Sequence, residues 1–262
     1  MKRFKLLLIF LTFVPLCVLG QSIKPGKDYV DSSTTMVWTE VNMSCQFPVG
    51  GLHDLFKVNG SVGTGFTVKT ASNWTFGIRG NYCFGGKMRN NDVLSPLKDH
   101  NGYIYNADGS NNKNDVENEV EGRYWYVAAG FGKVFALDRW KNSGIWLWAD
   151  FGFAQHKVYL GSQVSDNVPL LQDNYRKAFD RRSSGFTMSQ SIGYLFIHRV
   201  RVASFYVGLE FREMWTKPDR NYILGVGPTE GTPYRFSGLF GIKASWLIPL
   251  YEKKKVSTFY TY

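Results

Sequence analysis

Residues 202–215 read VASFYVGLEFREMW. Ala203, Phe205, Val207, Leu209 and Phe211 alternate with Ser204, Gly208, Glu210 and Arg212. Successive side chains of a strand point to opposite faces, so this segment predicts a strand with one apolar and one polar, partly charged face. The same period of two recurs along the chain. Met36 to Phe47 sets Val37, Val41, Met43, Cys45 and Phe47 against Glu40, Asn42, Ser44 and Gln46. Val58 to Lys69 and Trp74 to Phe84 follow, joined by Ala71-Ser72-Asn73. Arg123 to Leu137 is a fourth strand whose facing is ambiguous, because both parities are largely apolar. Ile145 to Tyr159 opposes Leu147, Ala149, Phe151 and Phe153 to Asp150, Gly152 and His156. Gly185 to Phe196 repeats the pattern with Gln190 interrupting its apolar row, and Phe236 to Leu250 closes the series.

Eight strands alternate with connections of two kinds. Pro48 to Lys57, Gly85 to Gly122, Leu160 to Ser184 and Lys217 to Pro233 are long, and the connections between them are short. An even strand number with long loops at one end and tight turns at the other predicts an all-β fold, an eight-stranded antiparallel up-and-down transmembrane β-barrel with long extracellular loops. A secreted β-sandwich or soluble barrel shows the same alternation. The tryptophans favour the membrane barrel. Trp38, Trp74, Trp140, Trp146 and Trp246 map to the short-turn end, with Trp148 just inside, and Trp125 and Trp215 map to the long-loop end. Amphipathic rings gather at membrane–water interfaces.

The amino terminus fits export. Lys2, Arg3 and Lys5 precede an apolar run from Leu6 to Leu19, and Val18-Leu19-Gly20 offers a cleavage site, so residues 1–20 read as a signal peptide. Leu16 before Cys17 argues against lipidation, which wants a small residue there. The expected organisation is then a periplasmic segment at 21–35, the barrel at 36–250 and a periplasmic tail at 251–262. The formal charge of +10 becomes 28 − 21 = +7 once three signal-peptide cations are removed. In an exported chain that charge points to anionic lipid and lipopolysaccharide phosphates as partners, together with other envelope proteins, and not to nucleic acid. Cys45 and Cys83, on non-adjacent strands and facing oppositely, are expected as free thiols.

The strand pair around Gly63-Thr64-Gly65-Phe66 and Trp74-Thr75-Phe76-Gly77, and the closing Gly241-Ile242-Lys243-Ala244-Ser245-Trp246, resemble the small outer-membrane barrels of the OmpA and PorT-like group typical of Bacteroidota. The resemblance implies a barrel and no single activity, since that group includes adhesins, anchors and accessory parts of type IX secretion. The chain departs from the usual terminal aromatic of such barrels, because Glu252-Lys253-Lys254-Lys255 interrupts the run to Tyr262.

Inward positions include Glu40, Arg79, Asp150, His156, Glu210, Arg212 and Lys243. An eight-stranded barrel encloses only enough room for side chains, so these charges are expected to pair as an internal plug. A narrow channel for small solutes is the first alternative, and a lipid-acting enzyme the second. For the enzyme, His156 and Asp150 share a face but lie roughly 20 Å apart along the strand, too far for a dyad. No Gly-x-Ser-x-Gly elbow occurs, and neither a cofactor nor an enzymatic site is expected. Asp108, Gly109, Asp115, Glu117 and Glu119 lack the ligand spacing of a calcium loop. In the third long loop, Arg176, Lys177, Arg181 and Arg182 beside Tyr175 and Phe179 form a cluster suited to phosphate.

Overall fold

The structure is a computed structural model and describes residues 33–89, 91–110, 120–137, 140–161, 168–171, 176–197 and 204–250. The expected signal peptide, the tail at 251–262, Asp115, Glu117, Glu119, Tyr175 and the side chains of Trp140 and Arg176 lie outside the described residues.

The strands run β1 (Met36–Gly50), β2 (Asn59–Lys69), β3 (Trp74–Lys87), β4 (Val120–Leu137), β5 (Trp140–Leu160), β6 (Ser183–Phe196) and β7 (Ser204–Pro218). A two-residue hairpin, β8 (Tyr222–Ile223) with β9 (Gly227–Pro228), precedes the last strand, β10 (Arg235–Leu250). Strands β1 to β7 and β10 form a closed antiparallel barrel in which each pairs with its sequence neighbours and β10 returns to β1. Closure leaves no strand edge unpaired. The strands reach further into the long connections than alternation indicated. β3 extends to Lys87 past a register shift at residues 83–86, and β4 begins at Val120. At the other end, residues 70–73 turn β2 into β3, with Asn73 in the left-handed region (φ 66°) that asparagine tolerates. Short helices α1 (Gly51–Leu55) and α2 (Arg176–Phe179) and a 3₁₀ turn (Asn91–Leu97) lie in the long loops.

The outside of the barrel is apolar. Ile78, Val127, Phe131, Ile192, Leu209 and Ile242 are each between 44 and 58% exposed. At the long-loop end a row of rings runs across consecutive strands: Phe153, Phe186, Trp215 and Phe236 occupy one register row. Phe186, Trp215 and Phe236 stand with centroids 5.8–5.9 Å apart, and Trp125 meets Phe153 at 5.6 Å. At the short-turn end Phe196 packs on Phe205 at 5.1 Å, and Lys133 sits over the ring of Trp74 at 4.9 Å. At roughly 3.3 Å per residue and a tilt of about 40°, the path from Trp74 to Phe84 rises about 25 Å, the height of a bilayer's apolar band.

Candidate functional site: the barrel interior and the outer rim

The interior is filled in three layers. In the middle, three acids and three bases are buried together: Glu40, Asp150 and Glu210 with Arg79, Arg212 and Lys243. Arg79 Nε stands 2.8 Å from Glu40, Arg212 3.1 Å from Asp150 and 3.6 Å from Glu210, and Lys243 Nζ 3.0 Å from Glu210. The pairs bridge over small residues. Glu40, Gly65 and Arg79 share one register row, and Asp150, Ser189 and Arg212 another. A Cβ on Gly65 would lie 2.9 Å from Arg79 Cγ and 3.0 Å from Glu40 Cγ, so the missing side chain is what lets the pair meet. Gly63 does the same for Asn42 and Asn81, which hydrogen-bond across it. Arg212 also donates to Ser189 at 3.1 Å and lies 3.5 Å above the ring of Tyr126. Charges out of water need such dense pairing to persist.

Toward the short turns lies an aromatic cluster. Trp38, Trp146, Trp148 and Tyr206 are all 3% exposed or less, with Trp146 in edge contact with Trp38 at 5.8 Å, Trp148 at 5.4 Å and Tyr206 at 5.3 Å. Arg79 stacks on Trp148 at 4.1 Å, Trp148 donates to Asp150 at 3.1 Å, and Trp146 donates to Thr75 at 2.9 Å. Inward Gly130, Gly132, Gly193 and Gly208 make the room. A Cβ on Gly132 would come 2.9 Å from Trp146 Nε1, and one on Gly208 would strike the Tyr206 hydroxyl.

Trp38 and Trp146 were expected at the membrane interface, and the structure corrects that. A buried indole needs a cavity of its size, which the inward glycines supply. Thr75 accepts the Trp146 N–H, while the Trp38 N–H is buried without a hydrogen-bond partner among the described residues. Parity carried the signal: Trp38 shares it with Glu40, and Trp146 and Trp148 with Asp150. Trp74, Trp125, Trp215 and Trp246 do lie on the outer surface.

Toward the long loops the interior is apolar. Tyr124, Tyr126, Ala154, Val158, Met214 and Leu239 line it, and Leu52, Phe56, Val93, Leu94, Ile104 and Phe179 from the loops pack down on them. His156 lies at this level, not among the charges, and shares a hydrogen bond with Thr216 at 3.0 Å. A cavity of about 290 Å³ opens above it, lined also by Asp54, Arg181, Thr232 and Arg235. Among the described residues no group of three acidic, histidine or cysteine side chains is arranged for a metal, and Cys45 and Cys83 are unbridged, one exposed and one buried.

The expected phosphate cluster in the third loop is only partly available. Arg182 pairs with Asp219 at 3.0 Å, and Arg220, which sequence reading did not single out, grips Asp180 at 2.6 Å. The hydrogen bonds that Arg220 donates to the Asp180 carboxylate raise the arginine's pKa above the ordinary value. Arg181, in the left-handed region (φ 41°), lines the cavity over His156. Lys177 and Lys157 remain exposed. They border a second recess of about 440 Å³, with Tyr159, Arg182 and Arg220 on its walls, and Arg123 lies 3.1 Å over the Tyr159 ring.

No family model and no curated protein matches this chain. Solved structures resemble it in outline. The attachment invasion locus protein Ail of Yersinia pestis, in complex with the heparin analogue sucrose octasulfate, is 11% identical, with a TM-score of 0.41 over 82% of this chain and 99% of that one. Neisserial surface protein A is 8% identical, with a TM-score of 0.40 over 80% and 96%. The N-terminal β-barrel domain of Pseudomonas aeruginosa OprF is 8% identical, with a TM-score of 0.31 over 82% and 98%. Similarity this distant assigns no residue a role, and the narrower OmpA and PorT-like grouping has no matching family model behind it.

Proposed function

We propose that this chain is a non-enzymatic, non-conducting barrel of the outer membrane, a structural and interaction element of the cell envelope. The observation that carries the reading is its inverted solubility: rings and aliphatic chains cover the outside, and the ionic groups are buried within. Lipid is the solvent in which that arrangement is stable, and a closed barrel is one of the two folds that satisfy every backbone group there. The three-layered filling argues against the channel reading, because an ion would have to displace paired charges, the tryptophan cluster and the loop-covered apolar layer in turn. Such a barrel acts through its surfaces. The long loops are the part that envelope proteins meet, and a role as an accessory of a secretion system belongs to this same reading.

Conductance tests it. Purified protein inserted in planar lipid bilayers is expected to give no unitary current steps above background. Reproducible steps from the wild type, lost on neutralising Glu210, would overturn the plugged-barrel reading and restore the channel.

The rim supports phosphate-bearing headgroups as the lipid partner. Lys157 and Lys177 are exposed on the walls of the second recess, beside the ring belt where headgroups lie. Lipid A added to the detergent-solubilised protein is expected to raise its melting temperature. Lys157→Gln combined with Lys177→Gln should remove most of that rise, and dephosphorylated lipid A should give little with either protein. An equal rise in the double variant rules the recess out.

A further inference from the structure

Gln190 is exposed on the outer face of β6, midway between Phe186 at one ring belt and Tyr194 toward the other. Its register partners, Ala149 on β5 and Phe211 on β7, are apolar, and its carboxamide makes no hydrogen bond among the described residues. Around it lies a shallow depression of about 620 Å³, bordered by Leu147, Ala149, Ile192, Leu209 and Phe211. A primary amide at the centre of the hydrocarbon layer has no solvent to satisfy it, and polar groups at that depth are costly unless a protein partner covers them. This inference rests on the lipid-embedded reading above.

We infer that this face is the seam of a homodimer, with Gln190 at its two-fold axis. The chemistry selects the occupant. An acyl chain offers no hydrogen-bond partner, and the two ionisable residues on the border are already engaged, Glu210 buried against Lys243 and Lys133 over the ring of Trp74. A carboxamide is both donor and acceptor, so two copies related by a two-fold axis pair reciprocally, N–H to C=O in both directions. An isologous interface brings the same residue to itself at the axis, which is the self-complementarity an amide has and a lone hydroxyl or charge lacks. The small Ala149 beside Gln190 lowers the surface there and lets two convex barrels approach. Hydrogen bonds between side chains of this kind hold membrane segments together.

The test is fluorescence energy transfer between donor- and acceptor-labelled full-length protein in phosphatidylcholine vesicles. Labels are attached at Asp108→Cys in a Cys45→Ser background. Transfer is expected in the parent, falling as lipid dilutes the protein, lost in Gln190→Leu and retained in Gln190→Asn. Leucine at a lipid-facing site leaves the barrel intact, which the mobility shift of unboiled protein on a gel checks. In parallel, Gln190→Cys in the same background should cross-link to a band of twice the mass under oxidant, and Val62→Cys, on the far side of the barrel, should not. Transfer at the random-collision level in the parent overturns the dimer. Transfer that survives in Gln190→Leu overturns the seam, placing any dimer on another face. A parent that fractionates as soluble protein would instead refute the membrane reading on which the inference rests.

Discussion

Arg212→Met is expected to destabilise the folded barrel by about 3–5 kcal/mol, because it removes one partner of a buried ion pair and leaves the other charge uncompensated. Arg212 is wholly buried between Asp150 and Glu210. Glu210 keeps Lys243, but Asp150 has only Trp148 left as a donor among the described contacts. The middle layer then holds three acids against two bases. Urea unfolding in lipid vesicles, followed by tryptophan fluorescence, measures the loss. The informative variant is the double one, Arg212→Met with Asp150→Leu. It leaves Glu40 with Arg79 and Glu210 with Lys243, two neutral pairs, and should recover most of the lost stability. A double variant as unstable as the single one would mean that Arg212 acts through its contacts with Tyr126 and Ser189 and not through charge balance.

That balance was only partly visible in the sequence. Alternation identified the six charges of the middle layer but not Lys69, which is buried near the short turns and donates to Asn142. Nor could alternation pair the six. Glu40 and Arg79, and likewise Asp150 and Arg212, lie on strands separated by a third, and they meet because Gly65 and Ser189 stand between them in register. Register is fixed by the closure of the whole sheet, not by any one segment. The ambiguous facing of Arg123 to Leu137 has a related cause. Its inward Tyr124, Tyr126 and Val134 belong to the apolar layers at the two ends of the interior, so both parities read as apolar. Trp38 and Trp146 misled because indole suits either a wet interface or a polar interior, and only its parity with a charged neighbour separates the two. Arg182 looked free because Asp219 lies 37 residues away in sequence and arrives only when β6 and β7 pair.

The outer face makes the second large prediction, and it is the one that separates lipid from water as this barrel's solvent. Ile78 is 58% exposed on β3, and the run from Trp74 to Phe84 puts it near the middle of the apolar band. Arginine there should cost about 2–4 kcal/mol in a bilayer, the penalty for a cation at mid-depth on a lipid-facing strand. Phe84→Arg, at the edge of the same strand beside the loops, should cost about 0–1 kcal/mol, because its guanidinium reaches the headgroups. Both sites are exposed, 58% and 42%, so neither change disturbs the packed interior. In a water-soluble barrel the two substitutions would be alike and close to neutral, as surface changes usually are. The gradient is therefore the measurement: refolding yield and urea midpoint for the two variants in vesicles of one lipid composition. A large loss for Ile78→Arg with little for Phe84→Arg follows from a membrane-spanning belt. Equal, small effects at both depths would mean that the apolar rows face something other than hydrocarbon, and the reading of the whole exterior would have to be rebuilt around a protein partner covering it.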